Sequence, residues 1–497
     1  MTGTLPVRVI RRAPDLDRTV IAELARGAVR VELTAELTGA LAESRRSTLA
    51  DLEGRTVYGV NTGMGAMSGL RLDAAAQRHH QDNLMIGRAV GSAPWLRRDQ
   101  ARALLAARLR SFLDPSAGVS DELCRLLADL LNADVVPAVP ALGSGAAGEI
   151  IPLAHAGAAL IGAGQVLDHT GPPVDAEPAL AKAGLAIRSF GPKEGIAFLE
   201  GVPGLTGLAV LGSAATHTLL SQILAATAAS HTAVRASLDP LHPALADSAE
   251  LSAVLAGLRE RRGHGDAGAL QAPVSFRVTA PALAVALRAV AALDAAIDRT
   301  LNAVTDSPAH LDGEFVGTFG FAGTDLTATL GALTTALVHL ADLGAARLHR
   351  LLDPRVTGLA PQLSASPGLH AGMAAVHKRA AGVTHRLRRF ALPALPGAIE
   401  TSLGQEDVQS FGFEAAECLD EVLTGLRDIL ACELLAVVQA QRLGAPRTAA
   451  LDDLDATLPP GTVDRVFGRD IDHIIELLTS GWPSDPATSN AGRPNAS

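Results

Sequence analysis

The stretch Gly143–His155, GSGAAGEIIPLAH, decides between two folds. Read literally, Gly143, Gly145 and Gly148 give the G-x-G-x-x-G spacing of a dinucleotide-binding loop. Such a loop needs a buried strand entering the glycines, a helix leaving them and an acidic residue roughly twenty positions later. A helix from about Glu149 is expected, and Asp168 ends "GQVLD" at a suitable distance. The entering strand fails, because Pro137 and Pro140 in "DVVPAVPALGSG" would each remove a ladder donor. Pro152 falls in the first turn of the helix, where it is tolerated and uninformative. No alternation of strand and helix follows, and in a chain with 48 glycines the spacing alone carries little weight. The dinucleotide reading is set aside.

Outward from this stretch, the 497 residues are 48% hydrophobic, which is ample for a large core, and too many for one core. The apolar content is mostly Ala and Leu, with one Tyr, two Trp and eleven Phe, a balance that favours helix over strand. The formal net charge of -10 argues against a nucleic-acid partner. The one basic cluster, "HKRAAGVTHRLRRF" at His377–Phe390, has helical spacing and reads as a solvated or subunit-facing side. Cys124, Cys418 and Cys432 sit in apolar helical contexts without C-x-x-C spacing, so a reduced chain is expected, with no disulfides and no metal site. The start, "MTGTLPVRVIRRAPDL", has no apolar h-region, and no secretory signal is expected. The longest apolar run, "GLTGLAVLGSAATHTLLSQILAATAA", is interrupted by His217 and Gln222 and reads as a buried helix rather than a membrane span. A soluble, cytoplasmic, mainly α protein is expected.

Two helices are expected near "PDLDRTVIAELARG" and "AELTGALAESRRS". A Gly-rich loop without helical period, "YGVNTGMGAMSG", follows. "DAAAQRHHQDNLMIGRAVG", "RRDQARALLAARLRSFL" and "DELCRLLADLLNA" are helical, the last opened by Ser120 with Asp121 and Glu122 in its first turn. After Gly191 four long segments, beginning at Pro203, Thr279, Thr324 and Gly412, keep apolar positions at three-and-four spacing over many turns. Helices apolar on more than one side are buried in a bundle, often one completed by other subunits. An N-terminal domain over residues 1–190, a long-helix bundle over 191–480 and a disordered tail over 481–497 are expected.

Several segments in order, "YGVNTGMG", "VPALGSGAAGEIIPLAH", "GPKEGIAFLEG", "LQAPVSFR", "TDSP", "HRLLDPRVTGL" and "TSLGQEDVQSFG", together resemble the aromatic amino acid ammonia-lyase family, which includes the histidine and phenylalanine/tyrosine ammonia-lyases. The resemblance spans residues 20 to about 445. It implies a long-helix bundle and a homotetramer whose active sites take residues from three chains. It also implies an electrophile, a methylidene-imidazolone, made when an Ala-Ser-Gly tripeptide closes on itself and the serine loses its hydroxyl. Here the matching tripeptide is Ala146-Ala147-Gly148, and Ala147 has no hydroxyl to expel. The stretch is one residue shorter than the family's, and Glu149 stands where the family has Asp. A methylidene-imidazolone is therefore expected to be absent. Gly143-Ser144-Gly145 is the one other x-Ser-Gly tripeptide that could cyclise there, three residues from the family's position. Ser144 reads more simply as a capping or turn hydroxyl.

By the same resemblance, Tyr58 matches the loop base that takes a proton at the β-carbon, and Arg277 the arginine that grips the substrate carboxylate. Gln271 and Glu406 match the site glutamine and glutamate, and Phe321 an aromatic lining the pocket. Other positions differ from the family. Gly87-Arg88 replaces the "SH" that reads the substrate side chain, and Glu200-Gly201 replaces "NG". Val274 replaces a second tyrosine, "GTFGFAG" replaces "SGGNFHG", and Ser307 stands in "TDSP". The groups that make or hold the electrophile have gone, while the base and the carboxylate clamp remain. The two added charges, Arg88 and Glu200, must pair with each other or meet a charged substrate group.

The expected function is a lyase-like enzyme of secondary metabolism that needs no prosthetic group and binds a carboxylate-bearing, amino-acid-derived substrate. Tyr58 with Glu200 or Glu406 would carry acid–base elimination, addition or cyclisation, and Arg277, Gln271, Arg88 and Phe321 would hold the substrate. The alternatives are a catalytically silent homologue that binds a metabolite or a partner, and an ammonia-lyase or aminomutase with a ring built from Gly143-Ser144-Gly145.

Overall fold

The computed structural model describes residues 5–483, which form two compact units, each discontinuous along the chain. The first runs up to Gly212 and takes in Leu293–Leu330 and Pro393–Glu417. The second comprises Ser213–Ala292, Gly331–Leu392 and the chain from Cys418. Helix length changes near residue 190 along the sequence, but compactness divides the chain elsewhere, because two later segments return to the N-terminal unit. Of the tail expected to be disordered, residues 484–497 lie outside the described residues.

The first unit is helical, with three two-stranded sheets, of which only β1 (Val7–Ile10) with β2 (Arg30–Leu33) is parallel. Its helices are α1 (Arg18–Ala25), α2 (Ala35–Leu52), α3 (Ala74–Ile86), α4 (Arg98–Phe112), α5 (Asp121–Ala133), α6 (Ile150–Leu160), α7 (Ala176–Lys182) and α8 (Glu194–Leu199). It also holds the start of α9 (Pro203–Ala233). Side-chain caps set several starts: Asp17, Thr34, Asp73 and Ser120 each accept a backbone N–H of the first turn. No strand enters Gly143; Pro137 and Pro140 make only isolated bridges, to Val166 and Trp95.

Glycines bring α3, α6 and α8 close together. A Cβ on Gly157 of α6 would overlap the Met85 sulfur of α3, and one on Gly195 of α8 would stand 2.6 Å from the Gln81 carbonyl oxygen of α3. Two of these helices end, and the third begins, at the same place: α3 runs out into Gly87-Arg88, α8 into Glu200, and α6 starts just after Ala147-Gly148. Gly207 in α9 serves the same purpose against α4, since a Cβ there would lie 2.6 Å from the Ala103 carbonyl carbon, which is backbone and cannot move aside. Gly207→Ala is expected to cost about 1–3 kcal/mol by overpacking, read as a lower urea midpoint with unchanged slope.

The second unit holds the rest of α9, then α10 (Ala249–Arg262), α11 (Val274–Arg277) and most of α12 (Thr279–Leu301). Most of α13 (Thr324–Leu351), α14 (Pro354–Thr357), α15 (Ala374–Leu387), most of α16 (Gly412–Arg442), α17 (Asp452–Thr457) and α18 (Phe467–Thr479) complete it. At its centre Arg347 and Glu433, each 1% exposed at the side chain, form a two-pronged ion pair with both N···O distances 2.7 Å. Thr279 Oγ1 accepts from Arg347 at 2.8 Å and Ser230 Oγ donates to Glu433 at 2.7 Å, so both charges are well satisfied. The basic run on α15 is less free than its composition implies: Arg379 pairs with Asp428, Arg386 with Glu421 and the following Arg388 with Asp342. By length and composition alone three helices could cross a membrane, yet 89% of the apolar window within Glu194–Ala233 is buried inside the protein.

Candidate active site

A cleft of about 650 Å³ opens in the first unit where the ends of α3, α6 and α8 meet the loops at 57–65 and 401–408. The first loop is built by its own polar groups. Val57 N–H donates to Asn61 Oδ1 at 2.8 Å, Gly59 N–H donates to Thr62 Oγ1 at 3.1 Å, and Gly59 takes the left-handed φ of +66°. Buried Gln81 joins this loop to α8, donating to the Gly59 carbonyl at 3.0 Å and accepting from Ile196 N–H at 3.0 Å. Tyr58 thereby reaches the cleft, and its hydroxyl oxygen accepts the Gly65 N–H at 2.8 Å. Burial and the neighbouring Glu200 and Glu406 raise the phenol's pKa, against the Gly65 hydrogen bond and Arg88, so Tyr58 is protonated at neutral pH.

Ala146 and Ala147 line the cleft; Gly148 lies beside it at φ +82°. Glu406, on the second loop, accepts the Ala147 N–H at 2.7 Å. Ser402, Leu403 and Phe411 near it all have positive φ, 55°, 55° and 50°, a local strain of the kind concentrated at working sites. Glu149 does not line the cleft: it is buried, and its two oxygens accept the Gly204 and Leu205 N–H groups at the start of α9, at 2.6 and 2.5 Å. Ser144 does not line the cleft but a small adjoining cavity of about 10 Å³, beside Leu205 and Phe413, that shares Ala146 and Phe321 with it. The expectation that its hydroxyl caps a helix or turn fails: Ser144 makes no hydrogen bond among the described residues, and α6 has no side-chain cap.

Glu200 is 7% exposed and lines the cleft. Burial, then Asp306 and Glu406, push its carboxyl up to about 8, against the pull of Arg108 and Lys193, so it carries its proton at neutral pH. Arg88 does not neutralise it, since neither residue has an oppositely charged side chain within 4.0 Å among the described residues. The compensating Arg88–Glu200 ion pair is thus absent, because α3 and α8 deliver the two charges to the cleft without bringing them into contact. Sequence reasoning missed what stands behind Glu200. Lys193, fully buried, pairs with Asp306 at 2.5 Å and donates to the Ala117 carbonyl at 3.1 Å, while Arg108 donates to the Ala197 and Glu200 carbonyls. The available signal was a Lys in "GPKEG" and an Asp in "TDSP", charges inside otherwise apolar motifs.

Tyr58, Arg88, Ala146, Ala147, Glu200, Phe321 and Glu406 therefore share one cleft. Gln271 and Arg277 belong to the second unit and are not among its lining residues. Gln271 is exposed in the loop before α11; Arg277 ends α11, and its Nε is buried without a partner. Val274 is 57% exposed. No group of three or more His, Cys, Asp or Glu side chains suited to a metal ion occurs among the described residues.

A mainly helical fold holds a loop tyrosine and the Ala146-Ala147 peptide in one cleft. Residues 16–457 match the aromatic amino acid lyase family, and the chain belongs to it. It is 32% identical over 488 residues to a histidine ammonia-lyase of Deinococcus radiodurans, covering 94% of this chain and 93% of that protein. It is also 32% identical over 447 residues to a histidine ammonia-lyase of Aromatoleum aromaticum, covering 86% and 85%. Among solved structures it resembles a tyrosine aminomutase from Streptomyces globisporus, with a TM-score of 0.89, 26% identity and coverage of 96% and 97%. The family, the mainly helical fold and the lyase class read from the motifs all hold. The family's self-made prosthetic group does not fit the residues at its usual place: Ala147 presents a methyl group where dehydration needs a hydroxyl.

Proposed function

We propose that this chain is a lyase of the ammonia-lyase and aminomutase family that works without a methylidene-imidazolone, by acid–base elimination on a carboxylate-bearing substrate derived from an amino acid. The observation that carries this reading is Ala147 itself. It lines the cleft beside Tyr58 and Glu200, and its peptide N–H is held by Glu406. Tyr58, once ionised, takes the proton from the carbon β to the carboxylate. The C–H electron pair forms the double bond, the bond to the leaving group breaks, and Glu200 gives its proton to the departing atom. The products are an α,β-unsaturated acid and the protonated leaving group; the same groups run the addition in reverse. General acid–base help is worth about 10²–10⁴-fold, too little to expel ammonia from an unactivated amino acid. The leaving group is therefore a better one than ammonia.

Arg277 and Gln271 would clamp the carboxylate from another copy of the chain, in the homotetramer that the family resemblance implies. The reading of Gly143-Ser144-Gly145 as a substitute ring is disfavoured, because Ser144 is not among the residues lining the cleft that holds Tyr58. Intact-mass measurement tests the choice. The purified chain is expected at its encoded mass, inert to borohydride, and releasing no cinnamate, coumarate or urocanate from phenylalanine, tyrosine or histidine. A mass lower by two waters would overturn the proposal in favour of the ring.

A further inference from the structure

Arg88 is a guanidinium that the fold leaves unused. It follows the C-terminus of α3 and lines the cleft half-buried, and its side chain's one hydrogen bond is a long one, Nη1 to the Leu84 carbonyl at 3.4 Å. A guanidinium has five N–H donors in a planar fork that matches a carboxylate, so most of its capacity faces the cleft unspent. The contrast with the buried arginines of this unit is sharp. Arg102 spends its donors on the Leu24 and Leu131 carbonyls and on Asp134, and Arg108 on two carbonyls behind Glu200. The acidic groups facing the cleft do not satisfy Arg88 either. Glu200 and Glu406 attract it without forming an ion pair within 4.0 Å, Glu406 being engaged with the Ala147 N–H, and Asp407, on the same loop as Glu406, makes no ion pair with it either, so burial still dominates and weakens the charged form of Arg88. A half-buried cation without a partner costs stability unless a ligand pays for it.

We propose that Arg88 receives a second carboxylate of the substrate, so that the substrate is a dicarboxylic amino-acid derivative with one carboxylate at the reacting end and the other on its side chain. The inference rests on the function proposed above for the same cleft, but it concerns binding rather than chemistry. The cleft volume of about 650 Å³ accommodates a substrate longer than a bare dicarboxylic amino acid, including one with an aromatic ring between the two anions.

The test uses two probe pairs that differ in one charge, L-glutamate against L-glutamine and 4-carboxy-L-phenylalanine against L-phenylalanine. Binding is measured by calorimetry on the full-length Tyr58→Phe protein, so turnover does not intrude. In at least one pair the dicarboxylate is expected to bind about tenfold more tightly, as charge-assisted hydrogen bonds of about 1.5–3 kcal/mol imply. Adding Arg88→Gln should erase that ratio, while leaving the affinity of the probe without the second carboxylate unchanged and the ligand-free thermal midpoint equal or higher. Arg88→Lys should restore part of it. A purely structural role, capping α3 through Leu84, would lower the midpoint and leave the ratio untouched. Absence of a dicarboxylate preference in both pairs, or its survival in Arg88→Gln, overturns the proposal. Failure of the elimination chemistry would appear instead as wild-type turnover that ignores Tyr58→Phe, with the binding ratio intact.

Discussion

In Glu200→Gln, turnover of the natural substrate is expected to fall by about 10²–10⁴-fold with the fold retained, the range that one positioned acid or base contributes. Tyr58→Phe is expected to lose as much. The pH dependence separates the two roles. Glu200 holds its proton up to about 8, whereas the phenol of Tyr58 sits above its ordinary value of 10. The active form needs Tyr58 ionised and Glu200 protonated, and both conditions hold together in only a small fraction of molecules. Below pH 8 the phenolate fraction grows tenfold per unit while Glu200 stays protonated, so kcat/KM should climb with a slope of one. Above about 8 the loss of the Glu200 proton offsets the gain in phenolate, and the profile should flatten. Glu200→Gln has no proton to lose, and its residual rate should keep climbing through pH 8 without the bend. A bend that persists in that variant would assign it to another group.

The second large effect is structural and lies in the bundle unit. Arg347→Met leaves the Glu433 carboxylate, 1% exposed at the side chain, with only the Ser230 hydroxyl for company. Breaking a buried pair by removing one partner typically costs about 3–5 kcal/mol, because the remaining charge has no water to return to. The expected result is a much lower urea midpoint, or failure to accumulate as folded protein. Arg347→Met combined with Glu433→Leu removes both charges and should recover most of the loss. If the double variant is no better than the single one, packing of the two stems rather than the unpaired charge sets the cost.

Local features were legible in the sequence, and long-range ones were not. The bundle helices α9, α12, α13 and α16 could be read because three-and-four apolar spacing repeats along each without reference to any partner. Ser120 before Asp121 and Glu122 announced the start of α5, and Pro137 and Pro140 ruled out a strand ahead of Gly143. The family motifs led to Tyr58, Arg88, Ala147, Glu200, Phe321 and Glu406, which do share one cleft. What stayed hidden depends on contacts across great lengths of chain. Nothing near Glu149 in the sequence says that its carboxylate closes the start of α9, 55 residues on. Lys193 and Asp306 meet across 113 residues, and their pairing, which helps set the proton affinity of Glu200, belongs to the packed unit alone. Arg277 shows the opposite case: its motif is easily recognised, yet its place in the second unit leaves it outside the cleft that one chain lines.

Because the whole chain contains a single tyrosine, and that tyrosine stands in the cleft, the protein carries its own optical indicator. Phenolate formation gives a characteristic ultraviolet band, and here that band can come from no other residue. An alkaline titration followed by difference spectroscopy would therefore read the ionisation of this one group without labels, and a bound compound that perturbs the curve would announce itself before any product had been identified.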